Sequence, residues 1–354
     1  MELKLDNTKS YAIALEGGGA RGAYQIGAWK ALREAGIKFN AVSGTSVGAL
    51  NAALMCMDDY ERAVRLWSDI RLRDIINMNE DDEPSFKRLI NGEPESLHEL
   101  FHQVSEIIKH RGLDVSPLWD WVRDIVDAER IRNSGVELFV TAVSLTDHRG
   151  LEVRLNDLSE QEMCDMLLAS SYHPSFRLEK LGGKLYADGC FVDSLPDHVL
   201  VKNGYRDIIG VRLPGMGLEK PFRKPANVQM VTVQTNSDLG SVLDFDAERS
   251  KRNMTIGYYD TQRMLYGLYG HEYYIDRSMS EREAFELLLG MYGDETHSLR
   301  HSCEKILPKA ARKLGVREGG YYELLVAALE SKARDCGLEK MKIYTDQELI
   351  TLTE

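Results

Sequence analysis

Ser46 stands at the centre of Gly44-Thr45-Ser46-Val47-Gly48, a G-x-S-x-G pentapeptide. A serine in this pattern is a candidate nucleophile. On a sharp turn between a strand and a helix its hydroxyl projects from the end of a sheet, and only glycine fits on either side of so tight a turn. A helix opening at Val47 would also direct its positive end at a developing alkoxide. Loops collect glycine and serine, so the pentapeptide takes its meaning from the elements around it.

A second feature precedes it. Gly17-Gly18-Gly19-Ala20-Arg21-Gly22 places four glycines in six residues, a composition that costs folding entropy and so calls for a purpose. Unobstructed backbone N–H groups there would form an anion-binding concavity. Gly17-x-Gly19-x-x-Gly22 formally fits a dinucleotide fingerprint, but the expected acidic residue is absent from Phe39–Val42. A Walker loop would need Gly-Lys-[Ser/Thr], which is missing. With a nucleophile motif on the next strand, an oxyanion hole for a tetrahedral intermediate is the favoured reading. Arg21 either sets this loop and the helix start or forms an ordinary surface ion pair. The third feature is Asp188-Gly189, where a carboxylate ends a short strand. It is a candidate base, although the dipeptide is equally a common turn-former.

These groups need strands and helices to place them. Tyr11–Leu15 is a short apolar run that reads as a buried strand before the glycine cluster. A helix from Tyr24 to Ala35 follows, with Gly36 as its cap. Phe39–Val42 reads as the next strand and Val47–Met57 as a helix. Residues 58 to about 135 are charged and mostly helical, with an exposed acidic loop at 79–84. Strand patterns return at Leu138–Ser144 and Leu151–Leu155. A helix at Glu160–Ser170 and strands at Lys184–Ala187 and Asp207–Arg212 follow. Leu213–Gly217 reads as a boundary, beyond which Val228–Gln234 could add a strand and the rest is chiefly helical. The alternation implies an α/β layer architecture.

The three features together resemble the patatin-like phospholipase family. Its Gly-x-Gly-x-[Arg/Lys]-Gly loop is matched by Gly17, Gly19, Arg21 and Gly22, its nucleophile motif by Gly44 to Gly48, and its Asp-Gly-[Gly/Ala] motif by Asp188-Gly189. Cys190 departs from the last pattern. Ala169-Ser170-Ser171 and Asp193-Ser194-Leu195-Pro196 also look like segments around the third motif. Leu239-Gly240-Ser241 and Gly257-Tyr258-Tyr259-Asp260-Thr261 look like the extension of a bacterial subgroup. The resemblance implies a three-layer α/β/α fold with a mostly parallel central sheet, a catalytic domain over 10–215 and a helical C-terminal extension over 216–354. It also implies a Ser46–Asp188 dyad, an oxyanion hole over Gly17 to Gly22, acyl-lipid substrates met at a membrane or micelle surface, and no cofactor.

Other readings stay open at this point. A Ser–Asp–His triad is compatible with the chain order, since His198, His271, His297 and His301 all follow Asp188. His173 would stand near the site as a packing or substrate contact. A phosphate-binding module using the 17–22 loop without catalysis, or a transferase passing the acyl group to an alcohol, would share the same motifs. Phe101, Leu118, Trp119 and Trp121 read as the core of a helical insert, or as an acyl pocket or lid. A net charge of −12 over 354 residues speaks against nucleic acid as a partner. The histidines show no metal-ligand spacing, and five scattered cysteines suit a reducing compartment. The N-terminus lacks a secretory pattern, so the expected location is the cytoplasm, with peripheral membrane contact.

Overall fold

In the computed structural model, residues 1–79, 81, 83–90, 112–214, 218, 222–293 and 298–354 are described. Phe101, His297, parts of the acidic 79–84 run and residues 215–217 of the expected boundary lie outside them. The chain divides into two compact units, Asp6–Thr261 and Met1–Leu5 with Gln262–Glu354.

The larger unit is built on a seven-stranded sheet. Its elements run β1 (Ser10–Leu15), α1 (Ala23–Glu34), β2 (Lys38–Thr45), α2 (Val47–Cys56), α3 (Tyr60–Asp69), α4 (Glu83–Ile90), α5 (Ser116–Ile125) and α6 (Ala128–Asn133). They continue with β3 (Glu137–Ser144), β4 (Arg149–Arg154), α7 (Glu160–Ser170), β5 (Tyr186–Asp188), α8 (Asp197–Lys202), β6 (Asp207–Val211), β7 (Gln229–Val233) and α9 (Ala247–Tyr266), whose last turn passes into the smaller unit. The spatial order is β4-β3-β2-β1-β6-β7, with β5 also on β3. Strands β3, β2, β1, β6 and β7 are mutually parallel, while β4 and β5 run against β3. The sheet is therefore mostly parallel, as expected. The strand expected at 228–234 is present as β7.

The central strands read as near-continuous apolar runs because helices cover both faces. Ala12, Ala14 and Ala41 pack with Val199, Leu200 and Val201 of α8 on one side. Helix α2, buried along its whole length, covers β1, β2 and β3 on the other. Gly36 ends α1 in the left-handed region (φ +70°), and the Ile37 amide donates back to the Leu32 carbonyl. Only glycine takes that turn without strain.

Chain from beyond the expected 213–217 boundary also packs into this unit. Helices α1 and α9 meet backbone to backbone. A Cβ at Gly27 would lie 1.8 Å from the Met254 carbonyl oxygen, and one at Gly257 would lie 1.9 Å from that of Tyr24. The Tyr24 hydroxyl donates to Asp260 at 3.1 Å.

The smaller unit pairs two short parallel strands, β8 (Tyr274–Asp276) and β9 (Ile343–Thr345), among helices α10 (Glu281–Tyr292), α11 (Leu307–Lys313), α12 (Tyr321–Asp335) and α13 (Asp346–Thr353). Its core gathers Tyr273, Ile275, Leu288, Tyr322, Leu325 and Leu329. No helix among the described residues is long and apolar enough to cross a membrane.

Candidate active site

Strand β2 ends at Thr45 and α2 begins at Val47, so the whole turn falls on Ser46, which takes φ 55° and ψ −128°. A residue with a Cβ adopts this region only where its neighbours enforce it. The two glycines of the pentapeptide supply the room. A Cβ at Gly44 would come within 2.2 Å of the Gly48 carbonyl oxygen, and one at Gly48 within 2.5 Å of that of Leu15. The Ser46 amide donates to the Ser170 hydroxyl at 2.8 Å, so the last residue of α7 holds the turn from behind.

Asp188 reaches Ser46 through the edge of β3. That edge pairs with β2 from Glu137 to Thr141, where Thr45 is the last partner. One residue further on, the same edge passes to β5, and Asp188 is the partner of Ala142. The Ser46 turn vacates the ladder at the point where the strand bearing the Asp188 carboxylate occupies it. Gly189 is needed at this crowded junction, since a Cβ there would lie 2.6 Å from the Thr141 carbonyl oxygen and 2.9 Å from the Thr45 methyl.

Asp188 is buried, its side chain accepting from the Cys190 amide at 2.8 Å. Burial is the dominant influence and raises its carboxyl above the ordinary value of 3.8. The Cys190 amide, the nearby Ser46 hydroxyl and the Cys190 thiol favour its charged form and pull the other way. The thiol itself is pushed up by burial and by the adjacent Asp188 charge. Its sulfur also fills the space beside Gly17, where a Cβ would lie 2.3 Å from it. Cys190 thus touches both the carboxylate and the glycine loop.

Within that loop the amides are not equivalent. Gly17 N–H donates to the Ser194 carbonyl, Ala20 N–H to that of Val242 and Arg21 N–H to that of Gly18. Three of the six amides expected to form a donor set over Gly17 to Gly22 are thus engaged within the chain. Gly18 and Gly19 have N–H groups with no acceptor among the described residues. Gly19 needs its glycine, at φ +55° with the Val242 carbonyl oxygen 2.0 Å from a would-be Cβ. The Arg21 guanidinium donates to the Gly240 carbonyl at 2.7 Å, pinning the loop to the 239–242 segment. Gly22 closes the loop against Val47 and Trp67.

Two anchors were not singled out from the sequence. Glu16 follows β1 and is buried. Its carboxylate accepts from the Leu213 amide at 2.7 Å, the Ser194 hydroxyl at 3.1 Å and Arg212 at 3.4 Å, while burial raises its proton affinity. A carboxylate directly after a buried apolar strand was its signal. Asn51, on α2, donates to the Gly22 carbonyl and the Gln25 amide oxygen and accepts from the Trp67 indole. The sequence carried no signal for it beyond a polar residue in an apolar helix.

Of the histidines weighed for a triad, His198 is held between Asp193 and Glu152. Burial opposes its charge, but the two carboxylates outweigh burial and raise its pKa. His173 bonds through Nδ1 to the Ser175 hydroxyl, and burial lowers its pKa. Leu118 is buried on α5, with Trp119 and Trp121 half-buried beside it.

A family model described as patatin-like phospholipase matches residues 13–201. Neuropathy target esterase sws of Drosophila melanogaster is 27% identical over 209 residues, covering 57% of this chain and 13% of that protein. Patatin-like phospholipase domain-containing protein 7 of Rattus norvegicus is 25% identical over 200 residues, covering 56% and 13%. Both matches therefore span a small part of the relative's length. Among solved structures, VipD from Legionella pneumophila superposes with a TM-score of 0.40 at 12% identity, covering 97% of this chain and 90% of VipD.

Proposed function

This chain belongs to the patatin-like phospholipase family, and from that premise we propose that it hydrolyses carboxylic esters of acyl lipids through a Ser46–Asp188 dyad. The observation that carries the reading is the pair of adjacent registers on β3 that sets the buried Asp188 carboxylate beside the Ser46 turn, where the serine hydroxyl favours its charged form.

Each step follows from that placement. Asp188 takes the hydroxyl proton as Ser46 Oγ attacks the ester carbonyl. Burial suits it to this task, because a carboxylate that holds a proton more readily is the better base. The tetrahedral oxyanion is stabilised by the free amides of Gly18 and Gly19, with the first turn of α2 adding its positive end. The carbon–oxygen bond to the leaving alcohol then breaks, and Asp188 returns the proton to the departing oxygen. Water attacks the acyl-enzyme in the reverse sense, giving the free acid and restoring Ser46. The names of the relatives, an esterase and a phospholipase, favour lipid esters as the substrate class.

The test is labelling with a fluorophosphonate probe and turnover of a medium-chain p-nitrophenyl ester. Ser46→Ala should lose both. Asp188→Asn should abolish turnover with the fold retained. Ester turnover that survives Ser46→Ala refutes the assignment, and a fully active Asp188→Asn enzyme refutes the dyad.

A further inference from the structure

His198 stands in the first turn of α8 and is 1% exposed, yet both of its ring nitrogens face carboxylates. Nε2 lies 2.8 Å from Glu152 Oε1 on β4, and Nδ1 pairs with Asp193, which is itself buried. Glu152 is part-exposed, and its two oxygens also accept from Lys202 at 2.8 and 2.7 Å. A neutral imidazole has one N–H and one bare nitrogen, so only the imidazolium can donate to two carboxylates at once. Burial opposes that charge, and the two carboxylates outweigh it. In the same turn Asp197 pairs with Lys224. The strands beneath α8 present Ala12, Ala14, Ala41 and Ile208, and the Phe222 ring lies alongside His198.

This charged clamp closes on the segment that joins the Asp188 turn to α8, and that segment ties the parts of the site together. The Asp193 amide donates to the Gly189 carbonyl at 2.9 Å, beside the carboxylate. The Asp193 carbonyl accepts from Thr45 Oγ1 at 3.0 Å, one residue before Ser46. The Ser194 carbonyl accepts from the Gly17 amide at 3.0 Å, at the head of the glycine loop. The Pro196 carbonyl accepts from the Ser43 hydroxyl at 2.9 Å. Close packing would hold such a segment in place with or without an ion pair. Here a cavity of about 140 Å³, lined by Thr141, Glu152, Val192, Asp193 and His198, leaves a side chain that loses its partner room to move.

We propose that His198, as an imidazolium between Asp193 and Glu152, is a positioning residue for ester hydrolysis at Ser46, fixing the 193–196 segment and through it the spacing of Thr45, Gly17 and Gly189. The inference rests on the Ser46–Asp188 reading and adds a charge requirement to it. Loss of the proton turns a bare nitrogen toward one of the two carboxylates, so that contact changes from attraction to repulsion. Gly18 and Gly19 must meet an oxyanion that forms on the carbon bonded to Ser46. A shift of about 1 Å between loop and turn is enough to cost about a hundredfold in rate. Activity is then bounded on both sides, with Asp188 deprotonated and His198 protonated. The folded state also holds the His198 proton more tightly than the unfolded chain does. Its contribution to stability is full below the unfolded pKa and is lost as pH rises through the folded one. Turnover and stability should therefore decline together on the alkaline side.

The experiment is the pH profile of kcat/KM for a p-nitrophenyl ester, measured on the full chain and on variants of the clamp. Glu152→Gln changes its part-exposed end and removes one of the two charges that favour the imidazolium. The alkaline limb should move to lower pH while the acid limb, set by Asp188, stays where it was. His198→Gln should lower turnover at the parent's optimum by about tenfold or more and should lack that limb. In the His198→Gln background, adding Glu152→Gln should leave the profile unmoved, because the ring it acts on is gone. A parent with no alkaline limb short of unfolding overturns the role, and so does a limb that ignores Glu152→Gln. A His198→Gln enzyme as active as its parent does the same. Should His198→Gln fail to fold, the Glu152→Gln profile alone decides. Turnover that survives Ser46→Ala refutes the dyad and this role with it, whereas Ser46-dependent turnover with an unmoved limb refutes this role alone.

Discussion

Gly17→Ala is a sharp probe of how the glycine loop, Cys190 and Asp188 fit together. Gly17 is not in the left-handed region, so the change tests packing and not backbone conformation. The new methyl would lie 2.3 Å from the Cys190 sulfur, 3.1 Å from the Thr45 carbonyl oxygen and 3.2 Å from Ser46 Cβ. Ordinary carbon contacts lie near ~3.5–4.0 Å, so the overlap with sulfur exceeds about 1 Å. Relief by turning the thiol would carry it away from Asp188, whose charged form it favours, and relief by moving the loop would disturb the Gly17 N–H bond to Ser194. Overpacking of this kind costs about 1–3 kcal/mol. Cys190→Ala removes the obstructing atom, at a small cavity cost of its own. In the double variant the two changes should therefore compensate, with a coupling of about 1–2 kcal/mol in favour of the pair. Denaturant unfolding of the four proteins gives that coupling directly, and p-nitrophenyl ester kinetics should show the same pattern of loss and partial recovery. Restoration should stay incomplete because the Thr45 and Ser46 contacts remain. Additive costs, within about 0.5 kcal/mol, would refute the packing of thiol against loop.

The raised proton affinity of Asp188 makes two linked predictions. Activity should require the deprotonated base, so the acid limb of kcat/KM should lie above the ordinary aspartate value of 3.8. Because the folded state holds this proton more tightly than the unfolded chain, its contribution to stability is full below the unfolded pKa and is lost as pH rises through the folded one. Asp188→Asn should thus be inactive yet melt at or above the wild-type temperature at neutral pH, and a lower Tm would contradict the burial argument. Asn51→Leu should cost about 2–4 kcal/mol on chemical denaturation, since it strands the Trp67 indole and the Gln25 amide oxygen inside the core. A loss under about 0.5 kcal/mol would show that this network anchors nothing.

Much of the frame was legible in the residues. The Tyr11–Leu15 run, the helix capped by Gly36 and the Ser46 turn carry strong local signals, and the structure places β1, α1, β2 and α2 within a few residues of them. Helix α7 announces itself through Ser159 and Glu162, which form a capping box. The division of labour inside 17–22 was not legible, because an amide is free or spent according to distant carbonyls at Ser194 and Val242. Nor was the reach of the larger unit. Leu213–Gly217 has the composition of a boundary, yet Gly27 and Gly257 join helices on either side of it, and only the folded chain brings those glycines together. Strands β8 and β9 are three residues each, too short for an alternation to show.

Because Ser46 and Asp188 are set by adjacent registers on β3, no loop measures the distance between them. Residues can be gained or lost between Ser170 and Tyr186 with both ladders undisturbed, and loop closure charges little for the difference. A slip of one residue in β5 would act in the opposite way, turning the carboxylate to the other face of the sheet. That connection carries Leu178, so its length and its exposed side chains can vary while the registers that hold Thr45 and Asp188 on β3 stay as they are.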